Sequence, residues 1–226
     1  MNNNKYILKV GDKGLSRLKL LNNFLNPQSQ RFIYPFIKPG ITILEAGCGT
    51  GIMTEWLANQ TGTEGKVIAI DSSEEQIAIA KQYLAEKQIN NVQFIYGDIL
   101  ELSEGYKNHF DIAYCRFLML HLKEPEKLIE LFYYILKTDG IAIFEEPIFT
   151  DTPTYPETDI WDLLFKTYML FSKINNIDAN YGSRLINDVF NSKFTHTELC
   201  HYYPILTQAE ITNYIKLSFN ELGDIL

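Results

Sequence analysis

Ile41-Thr42-Ile43-Leu44-Glu45-Ala46-Gly47-Cys48-Gly49-Thr50-Gly51 is the stretch whose reading decides the fold. An apolar, β-branched run ends on Glu45 and passes at once into three glycines spaced two apart, and a helix-like segment, Ile52 to Gln60, follows. Strand, glycine turn and helix in that order make a nucleotide-type site. Glycines let the backbone turn tightly and approach a ligand, because no Cβ stands in the way. The helix start behind them offers unpaired N–H groups. The spacing is not that of a dinucleotide site, which needs a third glycine in the first helical turn. Read from Gly47 that position is Ile52, and read from Gly49 it is Thr54. No Gly-Lys-Ser/Thr follows, so a phosphate-cradling loop fails as well.

Working outward, alternation continues. Lys66–Asp71 reads as a buried parallel strand ending in an acid. Ser72 with Glu75 predicts a capping box for a helix through Lys87. Val92–Tyr96 and Phe110–Cys115 are further strands, Glu124-Pro125 opens a helix to Leu136, and Thr138-Asp139-Gly140 turns into a fifth strand, Ile141–Glu145. Strands alternating with helices predict an α/β fold with a doubly wound, mostly parallel sheet.

The flanks break this rhythm. Residues 1–40 read as a helical cap: an arm over Asn2–Gly11, a helix from Asp12 to Leu25, and a second piece, Gln28–Ile37, divided from it at Pro27. Residues 41–146 are the α/β core, and 147–182 a lid insertion whose helix, Asp159–Ile174, carries Trp161, Phe165 and Tyr168 on one stripe. Residues 183–226 would complete the core: a helix, Ser183–Asn191, a long strand, Phe194–Leu206, and a final helix opened by a capping box from Thr207 to Glu210. The cap and lid together are expected to roof the site.

Composition narrows the function. At 226 residues one elaborated domain is expected, and a net charge of −8 provides no basic footprint for nucleic acid. The three cysteines, Cys48, Cys115 and Cys200, form no C-x-x-C pair, which predicts no metal site and a reducing, cytoplasmic setting. No signal peptide or membrane-spanning run is evident.

Glu45-x-Gly47-x-Gly49-x-Gly51 resembles the first motif of the class I S-adenosylmethionine-dependent methyltransferases. The resemblance covers about Thr42 to Glu145, through Phe110–Phe117, His121-Leu122, Pro125 and Leu136–Gly140, and is nearest to the small-molecule group of ubiquinone and menaquinone biosynthesis. It implies S-adenosyl-L-methionine held by Glu45, Gly47, Gly49, Gly51, Asp71, Ser72, Asp98, Ile99, Cys115 and Arg116. An acid at the tip of the second strand suits a ribose diol, which is the place of Asp71. The resemblance puts Asp98 against the adenine amine, and the backbone near Cys115 and Arg116 against the methionine end. Arg116 can pair with the cofactor carboxylate or form a surface ion pair. His121, beside the implied methyl site, can take a proton from a hydroxyl or amine acceptor, or can simply cap or pack. Glu145 and Glu146 can orient an acceptor or act as base, or one can cap the lid, while Trp161 and Tyr168 are candidate acceptor contacts.

The expected reaction is methyl transfer to a small-molecule acceptor by in-line displacement, with a lone pair aligned about 3 Å from the methyl carbon and water excluded. Two other readings stay open: a protein that binds the cofactor without transfer, as sensor or scaffold, and methylation of a protein or nucleic acid. No Asn-Pro-Pro-Tyr follows the fourth strand, which argues against the amino-methylating type. The chain is expected as a monomer or homodimer. The resembled sheet closes with a sixth and a seventh strand, but Thr207–Leu222 reads as helix. Either the chain is truncated before the last strand and can pair through the open edge, which is the expectation, or the hairpin is rebuilt with Phe194–Leu206 divided or lying directly beside the fifth strand.

Overall fold

The structure, a computed structural model, describes residues 12–102, 105–150, 159–204 and 206–223, with backbone only at 12–15, 160, 161, 208 and 219–223. Five strands form one parallel sheet: β1 (Thr42–Ala46), β2 (Lys66–Asp71), β3 (Val92–Tyr96), β4 (Phe110–Arg116) and β5 (Leu136–Glu145), in the order β3-β2-β1-β4-β5. Helices α2 (Ile52–Thr61) and α3 (Glu74–Glu86) follow β1 and β2, and α4 (Glu126–Ile135) joins β4 to β5.

Near-continuous apolar runs make this sheet possible, because both faces are buried. Ile43, Val67, Ala69, Ile112 and Tyr114 face α2 and Ile77 of α3. Their neighbours Leu44, Ile68, Ala113 and Cys115 face α4. Strand growth reverses between β1 and β4, and in open α/β sheets ligands bind beyond the strand ends at that reversal.

The predicted strands and helices of the core are present, with local corrections. Ser73, not Ser72, caps α3, accepting from the Gln76 amide at 3.3 Å. β5 starts at Leu136 and carries an irregularity around Asp139, whose φ of 63° makes the turn expected at Asp139-Gly140. α1 (Asp12–Ile33) is one helix with Pro27 inside it, where the sequence divides it. Proline removes one helical hydrogen bond. The helix continues because both sides of Pro27 are anchored: Asn22 and Ser29 bind Arg116, and Ile33 is wholly buried under the sheet.

α5 (Asp159–Asn175), α6 (Gly182–Phe190) and α7 (Gln208–Gly223) follow β5. The Thr207–Glu210 capping box is formed, Thr207 Oγ1 donating to the Glu210 carboxylate at 2.6 Å and accepting from its amide. The C-terminal part divides between two places. α6 packs on the α4 side of the sheet through Leu185 and Val189. α7 instead lies against α1 and α5, with Ile215 among Leu164, Tyr168 and Phe171. The arm Asn2–Gly11, most of the loop after Phe149 and the ring of Trp161 lie outside the described residues.

Phe194–Leu206 is a correction: among the described residues it forms no strand, so the sheet has neither a sixth nor a seventh. Side chains hold it at both ends instead. Phe194 sits edge-on to Tyr133 in the last turn of α4, just before β5, and the Tyr202 hydroxyl reaches Glu145 at the end of β5. This strap therefore runs beside β5 without a ladder to it, and a trough lined by both lies between them.

Candidate active site

The turn after β1 is stitched to β2. Gly47 N–H and Cys48 N–H both donate to the Ile70 carbonyl, at 2.8 and 3.1 Å, and Gly49 N–H donates to Asp71 Oδ2 at 2.9 Å. Asp71 Oδ1 accepts from Ser73 N–H at 2.9 Å. Burial pushes the Asp71 carboxyl up, and the amides of Ser73 and Gly49 oppose that. Asp71 is thus a clamp on the glycine turn as well as an acid at the strand tip, a role its position in the sequence did not reveal.

The glycines divide by task. Gly47, Gly49 and Gly51 all have positive φ, a region that favours residues without a Cβ. Gly47 and Gly49 line the cleft, whereas Gly51 does not. A Cβ on Gly51 would stand 3.0 Å from Ala80 Cβ and 3.1 Å from Leu84 Cδ1. Gly51 therefore also lets the start of α2 pass close to α3. The Cys115 side chain is wholly buried on the α4 side, while its neighbours Tyr114 and Arg116 line the cleft.

Glu45, Asp71, Ser72, Asp98 and Ile99 all come to the cleft, beside the turn. Asp98 caps the short 3-10 turn Ile99–Glu101, accepting from Leu100 N–H at 3.0 Å. Glu45 is almost wholly buried and accepts from the Thr54 hydroxyl at 2.5 Å. Burial pushes it up to about 7, against Thr54 and the charge of Arg116. The folded protein therefore keeps a proton that an unfolded glutamate releases near 4.5. That contribution to stability is full below 4.5 and is lost as pH rises through about 7. Urea unfolding should show stability falling between pH 5 and 8, and Glu45→Gln should lessen that fall by on the order of 2 kcal/mol, leaving the share that comes from Glu146. Parallel profiles for the two proteins would exclude Glu45 as a source.

The other end of the cleft is built around Glu145, at the tip of β5. Its carboxylate accepts from Ser29 of α1 at 2.8 Å, Tyr114 of β4 at 3.0 Å and Tyr202 of the strap at 2.6 Å. Arg116 donates to Ser29 Oγ at 3.1 Å and to Asn22 Oδ1 at 2.5 Å, so its guanidinium ties β4 to α1. Glu146 has a different role. It accepts from the amides of Leu118, Met119 and Leu120, fixing the 3-10 turn Met119–His121, and burial pushes it up to about 8 against those three bonds. His121 lines the cleft, but burial and the nearby charge of Arg17 bring it down to about 4. A neutral imidazole of that acidity is a weak base at neutral pH. Tyr168 lines the cleft too, stacked on Phe149. Sequence reading missed Ser29, Tyr114 and Tyr202, since no local pattern links positions from α1, β4 and the strap.

The whole cleft has a volume of about 1550 Å³, room for a nucleoside cofactor and an acceptor together. The family described as a methyltransferase domain matches residues 37–209, well over half of the chain. The chain belongs to that family. Among its relatives, a demethylmenaquinone methyltransferase of Lactococcus lactis is 30% identical over 132 residues, 58% of this chain and 51% of the relative. A ubiquinone biosynthesis O-methyltransferase of Acinetobacter baumannii is 23% identical, over 74% of this chain and 69% of its own. The chain spans about half the length of the first of these. Among solved structures, a SAM dependent methyltransferase from Aquifex aeolicus shares the fold, with a TM-score of 0.53 and 23% identity over 69% of this chain and 85% of that one.

S-adenosylmethionine is the cofactor that goes with this family, and the residues present fit it. Gln76 Nε2 is buried without a hydrogen-bond partner among the described residues, and the Gln76 side chain packs against Gly49 at the cleft wall. A buried orphan donor is costly unless something completes it. A polar group of the bound cofactor would do so.

Proposed function

We propose that this chain transfers a methyl group from S-adenosylmethionine to a small-molecule acceptor, of the quinone-biosynthesis kind named in its relatives. The observation that carries the reading is the glycine turn clamped by Asp71, with the acids Glu45 and Asp98 and the orphan Gln76 amide around one cleft. Gly47, Gly49, Asp71, Ser72, Asp98 and Gln76 hold the cofactor. The bound cofactor supplies an electrophilic methyl group that needs no further activation. The chain's own work is then to orient the acceptor, exclude water and receive a proton if one must leave. α1, α5 and α7 together form the wall that shuts out water. Three free cysteines fit a reducing cytoplasm, and no helix among the described residues is long and apolar enough to cross a membrane.

Thermal melts test this directly. S-adenosylmethionine and its demethylated product should each raise the melting temperature, because a ligand at about 100 times its Kd adds roughly 2.7 kcal/mol. NAD and NADP should leave it unchanged. A shift with NAD and none with either sulfur nucleoside would end the methyltransferase reading.

A further inference from the structure

The Glu145 carboxylate gathers three hydroxyl groups. Three O–H donors converge on one carboxylate at the cleft end of β5, within 2.6 to 3.0 Å. Two of them are fixed. Ser29 is buried in α1, where it also accepts from Arg116, and Tyr114 is buried in the middle of the sheet. The third is not fixed in the same way. Tyr202 stands on the strap, where no backbone ladder bond is formed among the described residues and where Leu199 and Tyr203 are 71% and 52% exposed. Its bond to Glu145, beside Ser29, is thus a contact that holds the cleft end of the strap.

We propose that the Tyr202 phenol stands where the ring hydroxyl of a phenolic or hydroquinone acceptor binds, and that the acceptor displaces Tyr202 to reach Glu145. The inference rests on the methyltransferase reading and adds a place and a chemical class for the acceptor. A carboxylate already built to accept from a phenol at 2.6 Å suits another phenol there. The exchange trades one O–H bond for another of the same kind, so it costs little in hydrogen bonding. Ser29 and Tyr114 keep the carboxylate aimed while the strap moves, and Arg116 behind Ser29 balances its charge. Glu145 then orients the acceptor hydroxyl by accepting its hydrogen bond. Tyr202 also guards the site: a ligand without a ring hydroxyl has no means of replacing it.

The test is equilibrium binding of 1-naphthol, a redox-stable phenol, to the full chain saturated with S-adenosylhomocysteine, with naphthalene as the hydroxyl-free control. Tyr202→Phe keeps the ring and the packing but releases the strap, and should tighten 1-naphthol about three- to tenfold. Tyr202→Ala should tighten it tenfold or more. Adding Glu145→Gln to either should weaken 1-naphthol at least tenfold, whereas naphthalene should gain from loss of the Tyr202 guard and be indifferent to Glu145→Gln. Equal 1-naphthol affinity in wild type and both Tyr202 variants would overturn the proposal. So would a Tyr202→Phe protein whose 1-naphthol affinity is indifferent to Glu145→Gln. If the wild type fails to bind S-adenosylhomocysteine at all, the methyltransferase reading has failed instead, and a result of that kind is read before any naphthol is added.

Discussion

Gly51→Val should lower the stability of the chain by roughly 2–6 kcal/mol, against the 5–15 kcal/mol typical of a whole domain. Two effects add. A β-branched residue forced to a φ of 82° is strained by about 1–3 kcal/mol. Its Cβ would also stand 3.0 Å from Ala80 Cβ and 3.3 Å from Ala80 Cα, which belongs to the backbone of α3 and cannot rotate away. Overpacking of this kind adds about 1–3 kcal/mol. For a chain of this size each kcal/mol moves the melting temperature by about 2–4 °C, so a fall of roughly 4–24 °C is expected. Gly40→Val is the control, because its φ of 85° is similar, it lies in the turn closed by Ile41 N–H to Lys38, and nothing lies within 4 Å of its Cβ position. It should show only the strain. Equal losses at the two positions would mean that the α2–α3 contact is slack and Gly51 is only a turn glycine.

Asp71→Ala should weaken binding of S-adenosylhomocysteine by a hundredfold or more, measured by calorimetry. The substitution leaves the amides of Gly49 and Ser73 without their acceptor, each at about 1–3 kcal/mol if no water replaces it. It also frees the glycine turn from the tip of β2 and removes the carboxylate placed for a ribose. Affinity and stability therefore fall together, and Asp71→Asn, which retains one oxygen, should lie between. Amide exchange at Gly49 should quicken in both variants before ligand is added. Wild-type affinity in Asp71→Ala would show that the cofactor lies elsewhere in the cleft.

These two residues also show what was legible in the sequence. Strand, glycine turn and acid are local signals, written within a few positions of one another, and the sheet follows from apolar runs that only a doubly covered strand can carry. The division of labour among the glycines was not legible, because it depends on where α3 passes. Pro27 read as a boundary since local propensity says so, and tertiary anchoring through Ser29 and Ile33 overrides it. The hub at Glu145 joins residues more than a hundred positions apart, which no periodicity reports. Phe194–Leu206 has the composition of a strand, but Phe194 and Tyr202 pin it by side chains a trough away from β5. Glu146 read as a possible base, whereas the backbone amides of Leu118–Leu120 make it a structural acceptor.

The outer edge of β5 carries a consequence for handling the protein. Among the described residues no strand pairs with that edge. Half of it is blunted already: Lys137 is held by Asp111 at 2.8 Å, and the backbone kinks at Asp139. What remains unpaired is the run Ile141–Phe144, screened in part by the strap beside it. Four residues are fewer than the six or seven that sustain a fibril spine. Concentrated solutions should therefore drift toward small, reversible oligomers joined edge to edge, dissolving again on dilution, and not toward amyloid.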